Sequence, residues 1–386
     1  MLIVCEPECR GFAHERINAY YLYALSLSLP GEKILFIAEK GHIKCIKENL
    51  SGRDANIEYM ETDIPDPARP YLRQIRPFIE LDRKLFRLAE ERGADRLIYL
   101  SISSVNLYLI KYLLKREKRI NKCLIVLHGI LETLNHYPYR GISRVTDFLF
   151  WFRNPLLMKH GSEKIEYLAL SQGIKDRLVS KYRSLAKNIH VTFFPYLFSE
   201  PPAAKASFAG GSVRFGSFGG IKAPGQLLAL IERVNAVKSI HRPEFVIIGP
   251  GDGIKFPEGV VVPSPNKRMD RQEMDKYAVG VNYALYVYPR GGYDLMASGA
   301  LFDAISYQKP MIAIRNPFFE ECFAIFGDIG YLCEDTDEMF EVMSAILKTP
   351  PDIKYEVQRQ NLVRAKGITS PDRTAGTLKR LLEVNA

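Results

Sequence analysis

The segment Tyr293–Pro310, YDLMASGALFDAISYQKP, holds the residue types and spacing that most clearly could do chemistry in this chain. Ser298-Gly299 reads as the opening of a short helix, closed by Lys309-Pro310 before the apolar run Met311–Ile314. Unpaired backbone N–H groups at a helix start, with the positive end of the dipole, form an anion site, and Ser298 is a favoured N-cap residue. On a helical wheel Leu301, Ala304, Ile305 and Gln308 share one face, and Gly299, Asp303 and Ser306 lie nearly opposite. Asp303 is therefore expected to look outward, one turn from the anion site. A carboxylate there can accept hydrogen bonds from a ribose diol while the helix start holds a diphosphate. Phosphate beside ribose points to a nucleotide.

Other loops carry compatible groups. Gly216–Pro224, GSFGGIKAP, places glycines including Gly219 where a backbone could approach a phosphate, with Lys222 as a point charge. Gly249-Pro250-Gly251 follows the next apolar run, and Arg290 stands in the loop before Ser298. The bland readings are plain turns and a solvated lysine. In the first half, Glu6–Glu15 (EPECRGFAHE) and His128–Glu132 (HGILE) each join a histidine to glutamates after an apolar run. Histidine can bond hydroxyls or act as a base near neutral pH, and a carboxylate can deprotonate a hydroxyl. Equally, His14 fits a helix-capping role, and Glu15 and Glu132 fit first-turn acids that favour the helix dipole.

These loops need a scaffold, and the periodicity supplies one. Apolar runs at Leu2–Glu6, Lys33–Ala38, Arg96–Ser101, Lys122–Leu127, Tyr167–Leu170 and His190–Phe193 read as strands. They alternate with helical patterns at Glu15–Leu29, Tyr71–Arg92, Val105–Lys118 and Gln172–Tyr182. Such alternation predicts a parallel, doubly wound sheet, whose ligands bind beyond the carboxyl ends of the strands. The Pro/Ala/Gly/Ser-rich stretch Pro195–Ser212 interrupts the pattern, and strands resume at Val213–Ser217, Glu244–Gly249, Val260–Val262, Val279–Val287 and Met311–Ile314. The expected organisation is an N-terminal domain over 1–198, a linker over 199–212, a C-terminal domain over 213–370, and a final helix over 371–386 packing back toward the N-terminal domain. A length of 386 residues suits two α/β domains of this size.

Composition narrows the classes further. With 47% hydrophobic and 25% charged residues the chain has an ordinary globular balance. Its apolar runs are too short for a signal peptide or a membrane span, and the expected location is the cytoplasm. The six cysteines show no C-x-x-C pair or ligand spacing, so neither disulfides nor zinc are expected. The net charge of +9 is concentrated in residues 101–200, with 16 basic against 7 acidic side chains. There Arg144 and Arg153 flank Phe148, Leu149, Phe150, Trp151 and Phe152. This pattern fits peripheral contact with an anionic membrane surface, and it also fits a core helix with a solvated basic face. No nucleic-acid module is legible. No P-loop, nucleophile elbow, H-E-x-x-H or D-x-D metal-diphosphate motif is read.

The stretch Val213–Leu347 resembles the carboxy-terminal half of GT-B nucleotide-sugar glycosyltransferases. VRFGSFGGIKAPGQ, EFVIIGPGDG, the Tyr293–Pro310 segment and RNPFFEECFAIFGDIGYLCEDTDEM follow one another in that family's order and spacing. The resemblance implies an α/β protein of two Rossmann-like domains facing each other across a cleft. It places Asp303 on the ribose-binding acid, Lys222 on the diphosphate-contacting lysine, and Gly249 and Gly251 beside the nucleotide base. It also implies that His128 touches the transferred sugar, with Glu132 or His14 serving the acceptor. Ser298, Gly299, Lys222 and Arg290 would stabilise the leaving diphosphate without a metal or other cofactor. Many retaining members carry a second glutamate eight positions before the ribose-binding acid, and Leu295 stands there. The implied activity is transfer of a sugar from a nucleoside-diphosphate donor to a saccharide or lipid-linked acceptor hydroxyl, of the surface-polysaccharide type. A nucleotide-sugar epimerase and a non-catalytic nucleotide-sugar or membrane-surface binding module are the alternatives.

Overall fold

The structure is a computed structural model that describes residues 1–65, 71–128, 130–131, 162–198, 208, 211–251, 253–267, 269–288 and 295–383. The chain divides into two compact units, one formed by Met1–Leu197 with Thr369–Ala386 and the other by Phe198–Ile368.

The first unit holds β1 (Leu2–Cys5), α1 (Glu15–Ser28), β2 (Ile34–Ala38), α2 (Lys40–Leu50), β3 (Ile57–Glu61), α3 (Tyr71–Arg92), β4 (Arg96–Tyr99), α4 (Ser104–Arg116), β5 (Lys122–Val126), β6 (Ile165–Ala169), α5 (Gln172–Lys181) and β7 (Ile189–Val191). Its seven-stranded parallel sheet has the order β3-β2-β1-β4-β5-β6-β7. Leu2–Cys5, Ile34–Ala38 and Cys123–Val126 are buried throughout, which is why their sequences are continuous apolar runs rather than alternating ones. The sequence reading omits α2 and β3. Edge strand β3, IEYME, buries only Ile57 fully and carries two glutamates, so its apolar signal is weak.

The second unit holds β8 (Ser212–Phe218), α6 (Pro224–Asn235), β9 (Arg242–Ile248), β10 (Val260–Val261), α7 (Arg271–Ala278), β11 (Tyr283–Tyr286), α8 (Gly299–Ser306), β12 (Met311–Ile314), α9 (Pro317–Phe326), β13 (Gly330–Cys333), α10 (Thr336–Lys348) and α11 (Asp352–Ile368). Its six strands are parallel in the order β10-β9-β8-β11-β12-β13. One side of this sheet closes on a core of Val213, Phe215, Leu227, Ile231, Leu285, Ile312, Met339 and Met343. The last helix, α12 (Pro371–Leu382), belongs to the first unit and lies against α1, where the Tyr20 hydroxyl meets Thr374 Oγ1 at 2.8 Å. Among the described residues no helix is long and apolar enough to cross a membrane. All six cysteines are free thiols.

Candidate functional site

In both sheets the order of the strands reverses at one place, between β1 and β4 and between β8 and β11. At such a switch point the flanking connections leave toward opposite faces and open a crevice beyond the strand ends.

In the second unit the crevice is framed by the loop after β8 and the start of α8. Gly219 has φ +76 and donates its N–H to Ile248 O at 2.9 Å. A Cβ on Gly219 would come 2.9 Å from the Ala300 Cβ, and one on Gly249 would sit 2.1 Å from the Gly219 carbonyl oxygen. The loops after β8 and β9 and the start of α8 are thus in van der Waals contact. Packing alone explains the missing side chain at Gly249, and also at Gly251, whose Cβ would approach the Phe256 ring to 3.0 Å. Gly299 differs, since a Cβ there would meet open space. Lys222 is exposed beyond this loop.

Two expectations about α8 change. Ser298 occupies the N-cap position but makes no side-chain cap. Its hydroxyl is buried and paired with the Tyr288 hydroxyl at 3.0 Å, so no serine oxygen caps the first turn. Asp303 is not a freely projecting acid either. Arg271, at the start of α7, donates from Nη1 to Asp303 Oδ1 at 3.2 Å and from Nη2 to Ser306 Oγ at 3.0 Å. Arg271 also lies 4.6 Å over the Tyr307 ring, and Ser306 is buried rather than outward. The Asp303 side chain keeps 22% exposure, which leaves room for a ligand hydroxyl beside the guanidinium. Lys309 closes the helix from inside, buried with its Nζ on the Val279 carbonyl at 2.7 Å, and burial lowers its pKa to about 8. Leu295 is buried, so no carboxylate occupies the position eight residues before Asp303.

The chain does hold one Asp-x-Asp triplet, Asp335-Thr336-Asp337, contrary to the sequence expectation. It begins α10, where Asp335 accepts from the amides of Asp337 and Glu338 and Asp337 pairs with Arg233 at 2.6 Å. Capping and ion pairing occupy both acids. No group of three or more potential metal ligands is found among the described residues.

In the first unit the loop from β1 to α1 is held by a buried carboxylate. Glu6 Oε1 accepts from the amides of Glu8 at 2.9 Å and Cys9 at 3.0 Å and from the Ser101 hydroxyl, and Oε2 accepts from Asn18 Nδ2 at 2.8 Å. Asn18 Nδ2 lies 3.0 Å from His42 Nε2, and His42 Nδ1 lies 2.7 Å from the Gly11 carbonyl. This network fixes the turn that ends in His14, an exposed residue with φ 55 at the N-cap of α1. His14 and His128, which follow β1 and β5, meet edge to face with ring centroids 4.1 Å apart. The two histidines chosen from sequence therefore converge, although 114 residues separate them. Glu132, Arg290 and the aromatic-basic stretch 144–153 lie outside the described residues.

Sequence reasoning passes over Arg271, Glu8 and Ser101. Locally Arg271 shows only the Asp270 cap before it and an i,i+4 pairing with Asp275, whereas its contacts at the site, Asp303 and Ser306, are 32 and 35 residues away. Glu8 lies inside the loop already marked by His14. Its pKa is raised to about 8, by burial first and by Glu6 second, with the Ser101 hydroxyl opposing.

No protein-family model matches the sequence, and no curated protein matches it. Solved structures do match over essentially the whole chain. Anabaena HepE, in complex with UDP and glucose, superposes with a TM-score of 0.63 at 13% identity, over 98% of this chain and 100% of its own. A glycosyltransferase from Rickettsia africae gives 0.60 at 12%, over 100% and 99%. The lipopolysaccharide outer core galactosyltransferase WaaB gives 0.57 at 13%, over 99% of each. Two parallel α/β sheets of seven and six strands and these likenesses define the fold as the two-domain GT-B fold of nucleotide-sugar glycosyltransferases.

Proposed function

We propose that the chain is a glycosyltransferase that moves a sugar from a nucleoside-diphosphate donor to an acceptor hydroxyl. The observation that carries this reading is the switch-point crevice of the second unit. There glycine contacts bring the loops after β8 and β9 against the start of α8, one turn from the partly exposed carboxylate of Asp303. The amides at residues 299 and 300 suit the diphosphate and Asp303 the ribose diol, with Arg271 keeping that carboxylate oriented. Lys222 and Arg290 would add positive charge as the diphosphate leaves. Uracil is the favoured base, since HepE was captured with UDP. In the first unit His128, His14 and Glu132 would meet the transferred sugar and the acceptor. The hexosyl type, independence of metal and of other cofactors, and a place in polysaccharide or glycolipid assembly belong to the same proposal.

A peripheral position on the cytoplasmic face of a membrane is proposed with it. Supporting it are the basic excess in residues 101–200 and the outer face of α4. Tyr108, Tyr112, Lys115 and Arg116 are exposed there, and Arg116 stacks 4.3 Å over the Tyr112 ring. Incubation with a panel of nucleotide sugars, with and without glycoside acceptors, tests the function by mass spectrometry. Acceptor-dependent release of nucleoside diphosphate is expected. Conversion of the donor alone into an epimer, or binding without turnover on any acceptor, would replace the reading.

A further inference from the structure

The arginine that reaches Asp303 is fixed by contacts of its own, and this decides which of the two groups orients the other. Arg271 is the first residue of α7, whose entry is set by Asp270 accepting from the Glu273 amide at 2.9 Å. Its guanidinium lies 4.6 Å over the buried Tyr307 ring, its Nε is 3.6 Å from Asp275 Oδ1, and its Nη2 donates to the buried Ser306 Oγ at 3.0 Å. Tyr307 in turn donates its hydroxyl to Asp275 Oδ1 at 2.5 Å, which ties ring and carboxylate together. A planar fork gripped on its face and along its edges is held in one orientation. From that orientation Nη1 donates to Asp303 Oδ1 at 3.2 Å. All three guanidinium nitrogens thus face protein groups, so Arg271 addresses a ligand through Asp303 rather than by itself. The Asp303 side chain is only partly covered, and a carboxylate has about four acceptor sites, so a diol can bond beside the guanidinium. These residues all belong to the second unit.

Resting on the nucleoside-diphosphate reading above, we propose that Arg271 is a positioning residue that makes this site select ribonucleoside over 2′-deoxyribonucleoside diphosphates. An aspartate carboxylate can turn about its terminal bond, a torsion with broad wells. Two neighbouring hydroxyls bond to it together at one rotation, whereas a single hydroxyl can be followed through many. With Oδ1 held by Nη1, both hydroxyls of a ribose find their acceptors in place. Loss of the 2′-hydroxyl then forfeits a full hydrogen bond to a charged group. With the carboxylate loose, the second hydroxyl gains less, because ordering the torsion offsets it. The positive charge of Arg271 acts differently. It attracts the diphosphates of ribo and deoxyribo ligands alike and leaves the ratio of their affinities unchanged.

The test is isothermal titration of the full chain with UDP, GDP and ADP, each beside its 2′-deoxy counterpart. Wild type, Arg271→Ala, Arg271→Lys, Asp303→Ala and the double variant Arg271→Ala with Asp303→Ala are compared. Wild type should prefer the ribo form of the diphosphate it binds by roughly 10-fold. That ratio should fall toward unity in Arg271→Ala and lie between the two in Arg271→Lys, which keeps a donor and the charge but not the fork. Asp303→Ala should lose the preference, and adding Arg271→Ala to it should change the ratio no further. A wild-type ratio in Arg271→Ala, or in Arg271→Lys where the alanine variant does not fold, would overturn the proposal and leave the nucleotide site standing. Equal weakening of ribo and deoxyribo forms is that same result, the mark of a charge or a purely structural role. A wild type that binds a diphosphate without distinguishing its ribo from its deoxyribo form would overturn the ribose role of Asp303 and the proposal with it. One that binds none of these ligands would overturn the nucleotide reading itself.

Discussion

Replacing Asp303 by alanine or asparagine separates a ligand-binding carboxylate from a structural one. Its side chain is 22% exposed and its ion pair to Arg271 spans 3.2 Å. Arg271 keeps Ser306 at 3.0 Å, Asp275 at 3.6 Å and the Tyr307 ring when Asp303 is removed. The fold should therefore lose little, within about 1 kcal/mol for a partly exposed pair. A ribose diol held by the carboxylate would lose charge-assisted hydrogen bonds worth about 1.5–3 kcal/mol. That equals a roughly 10- to 150-fold weaker Kd for UDP. Asparagine retains the shape and one acceptor oxygen, so its loss should fall between wild type and alanine. Isothermal titration of the three proteins with UDP, beside their thermal melts, measures both quantities. Equal UDP affinity in all three would refute the ribose role. A melt lowered in step with affinity would show that Asp303 acts through the Arg271 pair on the fold.

Four further outcomes are expected. Glu8→Gln should be more stable than wild type at pH 7, because an acid raised from the ordinary 4.5 of a glutamate to about 8 binds a proton on folding. That gap is absent below about pH 4.5, widens as pH rises toward 8 and then levels, with an upper bound on the order of 3 kcal/mol at pH 7; equal melting temperatures at pH 7 would contradict it. Gly249→Ala drives a Cβ to 2.1 Å from the Gly219 carbonyl, a backbone clash expected to cost about 1–3 kcal/mol and several degrees of Tm. Turnover should persist in excess EDTA, since helix amides and basic side chains supply the counter-charge, and rescue by Mg²⁺ after EDTA inhibition would show otherwise. Sedimentation with anionic vesicles should be strong at low salt and fall steeply as the Debye length shrinks below ~10 Å. Arg144→Glu with Arg153→Glu should weaken it, while failure of wild type to sediment at low salt would remove the membrane proposal.

What the sequence disclosed, and what it hid, divides along local and non-local physics. Buried strands such as Leu2–Cys5 and Met311–Ile314 are apolar throughout and bounded by turn residues, so composition alone locates them. Helix α3 was legible over its full length, Tyr71–Arg92, despite Pro77 inside it. Strand β13 was not. Its Gly330 sits at φ 150, a Cβ there would strike the Met311 backbone at 2.0 Å, and a four-residue strand beginning with glycine has no local signature. The GT-B fold was readable through the resemblance that the motifs of Val213–Leu347 carry in their order and spacing. Side-chain roles were harder. Ser298 has N-cap chemistry, yet a buried tyrosine hydroxyl ten residues away claims its oxygen. The outward face assigned to Asp303 and Ser306 is crossed by Arg271, a partner that helical periodicity cannot foresee. Glu8 acquires its shifted pKa from burial and from Glu6, and only the folded loop creates that environment.

Whether a nucleoside diphosphate binds at the switch point of the second sheet is decided by a crystal structure of the protein soaked with UDP. Diphosphate oxygens are expected within about 3 Å of the amide nitrogens at residues 299 and 300, with the ribose hydroxyls on the Asp303 carboxylate. UDP bound away from the loop after β8 and the start of α8, or ordered there with its ribose turned from Asp303, would contradict it.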